Sequence, residues 1–317
     1  MSSVERTAPA AALASALSET AMAIEALLEA LLQDAPETGE IHRPARLLAA
    51  MRHGALAGGK RLRPFLVGET ARLFGAPVEQ ALRAGAAVEL AHCYSLVHDD
   101  LPAMDDDDIR RGRPTVHKAF DEATAILAGD GLLTLAFDVI ADQRTHPDGE
   151  TRAAIILQLA RSLGLGGMVG GQMLDLAAEG RFSGDGAPAR LSEAEIRRMQ
   201  AMKTGALLAG SVLIGARLGQ ADATRMMALE RYGKALGAAF QVADDILDIE
   251  ASPEQMGKAT AKDDAKGKAT LVMALGLDAA RRERDRLSQE AIAALADFGP
   301  EAAMLRAAAQ FTAQRRS

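Results

Sequence analysis

The chain has 317 residues, 49% hydrophobic but only 3% aromatic, with a formal net charge of -7. That charge argues against a nucleic-acid binder, whose contact face is normally basic, while leaving room for local basic clusters around a small anion. Cys93 is the sole cysteine, so an internal disulfide is excluded and a reducing compartment is expected.

Alanine, leucine and methionine carry most of the apolar mass, and β-branched runs are scarce, so the composition leans all-α. Cys93 itself reads as a small buried hydrophobe. The N-terminal stretch "MSSVERTAPAAALASALSET" lacks a positive region followed by a continuous apolar core, and makes a poor signal peptide. No apolar stretch reads as the roughly 20 uninterrupted residues of a bilayer span. A cytoplasmic protein without membrane insertion is expected.

In chain order, "AMAIEALLEALLQ" sets Ile24, Leu27, Leu28 and Leu31 at the spacing of an amphipathic helix. "DAPETGEIHRPARL" breaks it. "RPFLVGETARLF" predicts a second helix with Pro64 tolerated in its first turn, stopped by the "GAP" after Phe74. Val78 to Val97 is hydrophobic nearly all round and predicts a buried central helix. "THPDGE" is a loop between helices, and Glu179–Arg190 is the longest glycine-rich break. Ser192 and Glu195 then stand at capping-box spacing, opening a helix expected to carry Lys203 and Thr204. "RYGKALGAAFQVADDILDI" predicts another buried helix. The lysine-rich "ASPEQMGKATAKDDAKGKAT" is a polar loop long enough to suggest function. No short repeat or wide linker divides the chain, so a single domain over residues 1–317 is expected, as one large helical bundle.

Chemistry concentrates in two acidic stretches. In "DDILD", Asp244 and Asp248 share a helix face while Asp245 projects about 100° round. Apolar neighbours Phe240, Val242, Ile246 and Leu247 imply partial burial, which is costly for paired carboxylates without a counter-charge. A hard divalent cation such as Mg²⁺ would offset it. In "LVHDDLPAMDDDDIRRGRP", Asp99 and Asp100 precede Asp105 by a spacing that a regular helix cannot align. A bulge at Leu101 to Ala103, encouraged by Pro102, could bring Asp99 and Asp105 together. Basic residues accompany both sets: Lys60, Arg61 and Arg63 in "GGKRLRP", Arg110 and Arg111, Lys203 in "MKTG", and Lys258 and Lys268. Mixed sign of this kind suits two phosphorylated ligands, one held through metal and one through arginine and lysine.

These segments, with "GGQMLDL" and "GKATAKDDAKGKAT", occur in an order that resembles the trans-polyprenyl diphosphate synthase family over nearly the whole chain. The resemblance implies an all-α bundle around a deep central cavity, usually a homodimer. It implies that Asp99, Asp100, Asp105, Asp244, Asp245 and Asp248 bind three Mg²⁺, for which Mn²⁺ can substitute, on the diphosphate of an allylic substrate. Arg110, Lys203 and Lys258 would join that diphosphate, and Lys268 is a further expected substrate-binding residue. Lys60, Arg63, His92 and Arg111 would take isopentenyl diphosphate. Thr204 and Gln241 match positions beside the reacting carbons, Gln172 and Asp175 match cavity-wall residues, and His98 reads as structural. Tyr94 and Ser95, the fifth and fourth residues before Asp99, match the positions that limit chain length and point to a farnesyl (C15) product.

Geranyl and geranylgeranyl products are the alternatives within the family. A class I terpene cyclase would usually lack "GGKRLRP" and carry a different second motif. A cation-binding helical protein without activity is the remaining alternative. Ala261 stands where the family often has glycine, and Arg315 and Arg316 are expected to close over the second diphosphate.

Overall fold

The computed structural model describes residues 3–250 and 270–314. It is 73% helical, which matches the expected all-α class. The chain clusters into two compact units. One comprises Met1–Leu13, Leu157–Ala216 and Gln220–Ser317; the other comprises Ala14–Ile156 and Arg217–Gly219.

The unit containing the first aspartate set begins with most of helix α1 (Ser3–Leu31), followed by α2 (Ala45–Ala55), α3 (Leu62–Arg72) and α4 (Val78–Asp99). As expected, α4 is the buried element: Ala84, Ala86, Ala87, Val88, Leu90 and Ala91 are wholly enclosed. Its small side chains let α2, α3 and α6 (Glu122–Ala141) pack against it. Pro64 sits in the first turn of α3, where its missing N–H removes no helical bond. After α4 comes a hairpin of β1 (Ile109–Arg110) and β2 (Arg113–Pro114), then the short α5 (Val116–Ala119).

The hairpin was not expected. Arg111 and Gly112 have φ of 52° and 74°, the double positive-φ turn that joins two tightly paired antiparallel strands. With two residues per strand, it offers too little alternation to register as a pattern.

The second unit takes in the C-terminal part of α7 (Gly149–Leu163), then α8 (Met168–Ala178) and α9 (Glu193–Gln200). The capping box forms as predicted, with Ser192 accepting from the Glu195 N–H and Glu195 accepting back from Ser192. The helix after it departs from expectation. Ala201–Gly205 is a single π-helical turn between α9 and α10 (Ala206–Leu218). Such turns bulge the helix and are frequent at functional positions. The next elements are α11 (Ala223–Glu250), α12 (Leu271–Leu275), α13 (Leu277–Ala294) and α14 (Ala303–Gln314). Ile196, Val242, Ile246, Leu271, Val272 and Leu287 form a core around α11. The buried Tyr232 hydroxyl donates to the Leu305 carbonyl at 2.7 Å, tying α11 to α14.

One expectation is corrected. Ala10–Leu31, Glu122–Ala141, Gly149–Ala178 and Glu193–Leu218 are long and apolar enough to cross a membrane, by length and composition alone. Helices rich in alanine and leucine reach that hydropathy, and the share of each window buried inside the structure is 17%, 39%, 33% and 61% in turn.

Candidate active site

The first aspartate set lies where α4 ends. The chain folds back on itself: the Asp105 N–H donates to the Asp99 carbonyl at 2.8 Å, and the Asp106 and Asp107 N–H groups reach Leu101 and Asp100. The backbone of Asp99 and Asp105 is thereby joined across the Leu101–Met104 insert, as the proline-containing bulge predicts. Asp99 and Asp105 are half-buried.

Asp100 has a different environment. It is 2% exposed, and its Oδ1 accepts from Arg110 Nε at 2.7 Å and Nη2 at 2.6 Å. Burial alone would lower the Arg110 pKa, and the hydrogen bond and charge of Asp100 reverse the direction. Arg110 stands on β1, so the hairpin aims it back at the helix end.

Beyond this set, Asp106, Asp108 and His117 bring ligand atoms within 4.8 Å of one another. Asp108 is also paired with Lys118 at 2.9 Å.

The basic loop before α3 is braced from two directions. Arg61 has φ of 45° and turns inward, 3% exposed. It donates to Glu89 at 2.6 Å, and to Glu25 and the Ala55 carbonyl at 2.7 Å each. Arg61 therefore separates from Lys60, which is exposed, and from Arg63, which is half-buried. On the outer side the Arg111 guanidinium donates to the Gly58 carbonyl. A side chain at Gly59, where φ is 130°, would run into that guanidinium.

His92 lies close to this cluster. Burial, then the charges of Arg63, Arg111, Arg110 and Arg61, hold its imidazole well below the usual pKa, so it is neutral. Its Nδ1 is buried without a hydrogen-bond partner. Burial, followed by Glu89, pushes the neighbouring Cys93 thiol up to about 12.

Tyr94 is buried one turn before Asp99 and stacks edge-on against His98, with ring centroids 5.7 Å apart. The Ser95 hydroxyl donates to the His92 carbonyl at 2.8 Å. The His98 Nε2 lies 2.9 Å from the Ile126 carbonyl, which fits a structural role linking α4 to α6.

In the second unit, Asp244 is half-buried, Asp245 is buried and Asp248 is exposed, the rotation that the "DDILD" spacing predicts. Asp245 accepts from Gln200 Nε2 at 2.8 Å, Gln241 Nε2 at 3.0 Å and the Leu271 N–H at 3.1 Å. Those three bonds satisfy both oxygens of a buried carboxylate. Lys203, on the π-helical turn, pairs with Asp175 of α8 at 2.5 Å. The two segments approach so closely that a Cβ on Gly171 would lie 2.1 Å from the Lys203 nitrogen, so "GGQMLDL" needs its second glycine. Gln172 is buried beside it, and Thr204 is half-buried. Lys258, Ala261, Lys268, Arg315 and Arg316 lie outside the described residues.

Several participants were missed from sequence. Gln200 and Glu89 carry no motif of their own, and their roles come from tertiary packing. Gly112 in "RRGRP" was the available signal for the hairpin that directs Arg110.

Comparison with known proteins converges on one family. The profile of the polyprenyl synthetase family matches residues 44–305. The chain is 42% identical over 274 residues to the farnesyl diphosphate synthase of Escherichia coli K12, covering 85% of this chain and 89% of that one. It is 41% identical over 276 residues to the chloroplastic geranylgeranyl pyrophosphate synthase of Catharanthus roseus, covering 87% and 75%. Among solved structures, an FPP/GFPP synthase from Zymomonas mobilis superposes with a TM-score of 0.83 at 41% identity, covering 95% and 99%.

Proposed function

The chain belongs to the polyprenyl synthetase family and is a trans-prenyltransferase, and within that family we propose that it joins isopentenyl diphosphate to dimethylallyl and geranyl diphosphate, giving farnesyl diphosphate. The carrying observation is the folded end of α4, where Asp99 and Asp105 are drawn together beside an arginine already oriented by Asp100.

The family works with divalent metal, and hard carboxylate oxygens are the donors that Mg²⁺ takes. Asp99, Asp105, Asp244 and Asp248 would hold Mg²⁺, and both aspartate sets would serve one diphosphate, as the family resemblance implies. Bound there, Mg²⁺ supplies the positive charge that makes diphosphate a good leaving group.

The protein's own groups do the rest. Arg110, fixed by Asp100, and Lys203, fixed by Asp175, orient the allylic diphosphate, with Lys258 and Lys268 as further cations. Lys60, Arg63 and Arg111 bind the second diphosphate, and neutral His92 donates a hydrogen bond without adding charge. Asp245 occupies the amide nitrogen of Gln241, which leaves its carbonyl oxygen, with the Thr204 hydroxyl, as the oxygen dipoles offered to a cationic carbon. No side-chain nucleophile is required. Tyr94 and Ser95 would form the floor that stops chain growth.

A longer product is the second reading, favoured by the likeness to the Catharanthus roseus enzyme and the Zymomonas mobilis FPP/GFPP synthase. A homodimer in the cytoplasm completes the proposal, and the exposed Ile126 and Leu127 on α6 are apolar groups that a second copy could cover. Incubation with the two five-carbon diphosphates and Mg²⁺ tests it: diphosphate release with a C15 product by mass spectrometry is expected, abolished by EDTA and restored by Mg²⁺. Release of diphosphate without chain elongation would contradict it.

A further inference from the structure

A recess lies in the unit that carries Asp244. It has a volume of about 540 Å³, within the ~300–1,000 Å³ range of small-molecule sites. Ala206, Ala209, Gly210 and Leu213 of α10 are among its lining residues and give it an apolar floor. It lies on the side of the π-helical turn formed by Ala201, Met202 and Gly205, and neither Lys203 nor Thr204 lines it.

Its margin is cationic. Arg197 is paired with Glu193 and Glu283, and Lys234 with Glu230. The Arg161 and Arg198 side chains make no hydrogen bond or ion pair among the described residues, and Arg198 lies within electrostatic reach of Glu195. Two exposed guanidinium groups above an apolar floor match a ligand with an anionic head and a hydrocarbon tail.

The recess also touches the supports of the second aspartate set. Gln200 and Leu271 line it, and these two residues provide two of the three hydrogen bonds that hold Asp245. Met202 adjoins Lys203 on the same π-helical turn.

We propose that this recess is a regulatory site for a single-chain amphiphile with a phosphate head, and that its occupancy disturbs Asp245 and the Lys203 turn. The binding part stands on the recess alone. The regulatory part rests on the roles proposed above for Asp245 and Lys203.

The chain contains no tryptophan, so Leu213→Trp places a single fluorescent reporter in the recess. Dodecyl phosphate is titrated below its micelle concentration, in the presence of Mg²⁺ and saturating inorganic pyrophosphate to occupy the proposed diphosphate site. A saturable fluorescence change is expected. It should weaken at least tenfold in Arg161→Glu/Arg198→Glu and be absent with dodecanol, which lacks the head. Calorimetry on the unsubstituted chain should give the same affinity, which guards against a reporter that perturbs the fold. No saturable binding, or equal binding by the charge-reversed variant, would overturn the site. Farnesyl phosphate forms a second arm: similar affinity marks a site that reads head and chain generally, and preferential binding marks one suited to the product class. In turnover assays dodecyl phosphate should inhibit the unsubstituted chain and spare the charge-reversed variant, whose basal turnover is expected to match that of the unsubstituted chain. Equal inhibition of both would overturn the regulatory part and leave the binding result standing. Failure of prenyl transfer itself would show separately, as absent turnover without any amphiphile.

Discussion

Aspartates that look equivalent in sequence have different partners in the fold. The Asp100 Oδ1 accepts two bonds from Arg110, and both Asp245 oxygens accept hydrogen bonds from Gln200, Gln241 and the Leu271 backbone. Asp99→Asn is therefore expected to lower kcat by about 10²–10³ with little change in melting temperature, as loss of one electrostatic element does. Asp100→Asn should instead destabilise the fold by about 2 kcal/mol, less than a fully buried pair because part of Arg110 remains exposed. Paired measurements of kcat and thermal unfolding distinguish them, and identical behaviour would remove the division of labour. His92 gives a pH test. Its folded pKa lies well below the ordinary 6.5, so the unfolded chain binds the proton first as pH falls. Stability should accordingly be full above pH 6.5 and decline below it, and His92→Gln should flatten that decline in a melting series. Tyr94→Ala tests the chain-length floor: products longer than C15 are expected by mass spectrometry, and an unchanged C15 product would refute a steric stop. The clustering of these residue types was legible in the sequence; which carboxylate has which partner was not, because those partners come from distant segments.

At the scale of elements, local rules succeeded where the signal was local. The capping box at Ser192, the proline-tolerant start of α3 and the rotation of Asp245 away from Asp244 and Asp248 all follow from spacing within one helix. The π-helical turn and the hairpin did not, since each depends on tight backbone geometry or close approach rather than periodicity. Gly171 shows what such an approach demands. Gly171→Ala would drive a Cβ into the Lys203 backbone, where the nearest atoms cannot swing aside. A loss of about 1–3 kcal/mol is expected from the overpacking. Because Lys203 sits on the displaced turn, the apparent Michaelis constant for the allylic diphosphate should rise as well. Denaturant unfolding and steady-state kinetics on the same preparation check both parts; wild-type values in either would show that the contact is dispensable.

For the whole molecule, the negative charge and alanine-rich helices set the class without identifying the chemistry. Net charge of -7 coexists with a basic cluster of Lys60, Arg63 and Arg111, so the global balance says little about the ligand. Hydropathy was equally uninformative, because helices rich in alanine and leucine have the composition of a membrane span. Function became legible through the ordered series of short motifs, and through the fold that joins Asp99 to Asp105. The central proposal is that both aspartate sets act on one diphosphate through shared metal. Anomalous diffraction from crystals grown with Mn²⁺ and inorganic pyrophosphate measures this directly. Manganese peaks bridging one pyrophosphate to Asp99 and Asp105 on one side, and to Asp244 on the other, are predicted. Peaks confined to one aspartate set, or two metal sites with no common pyrophosphate, would contradict the account.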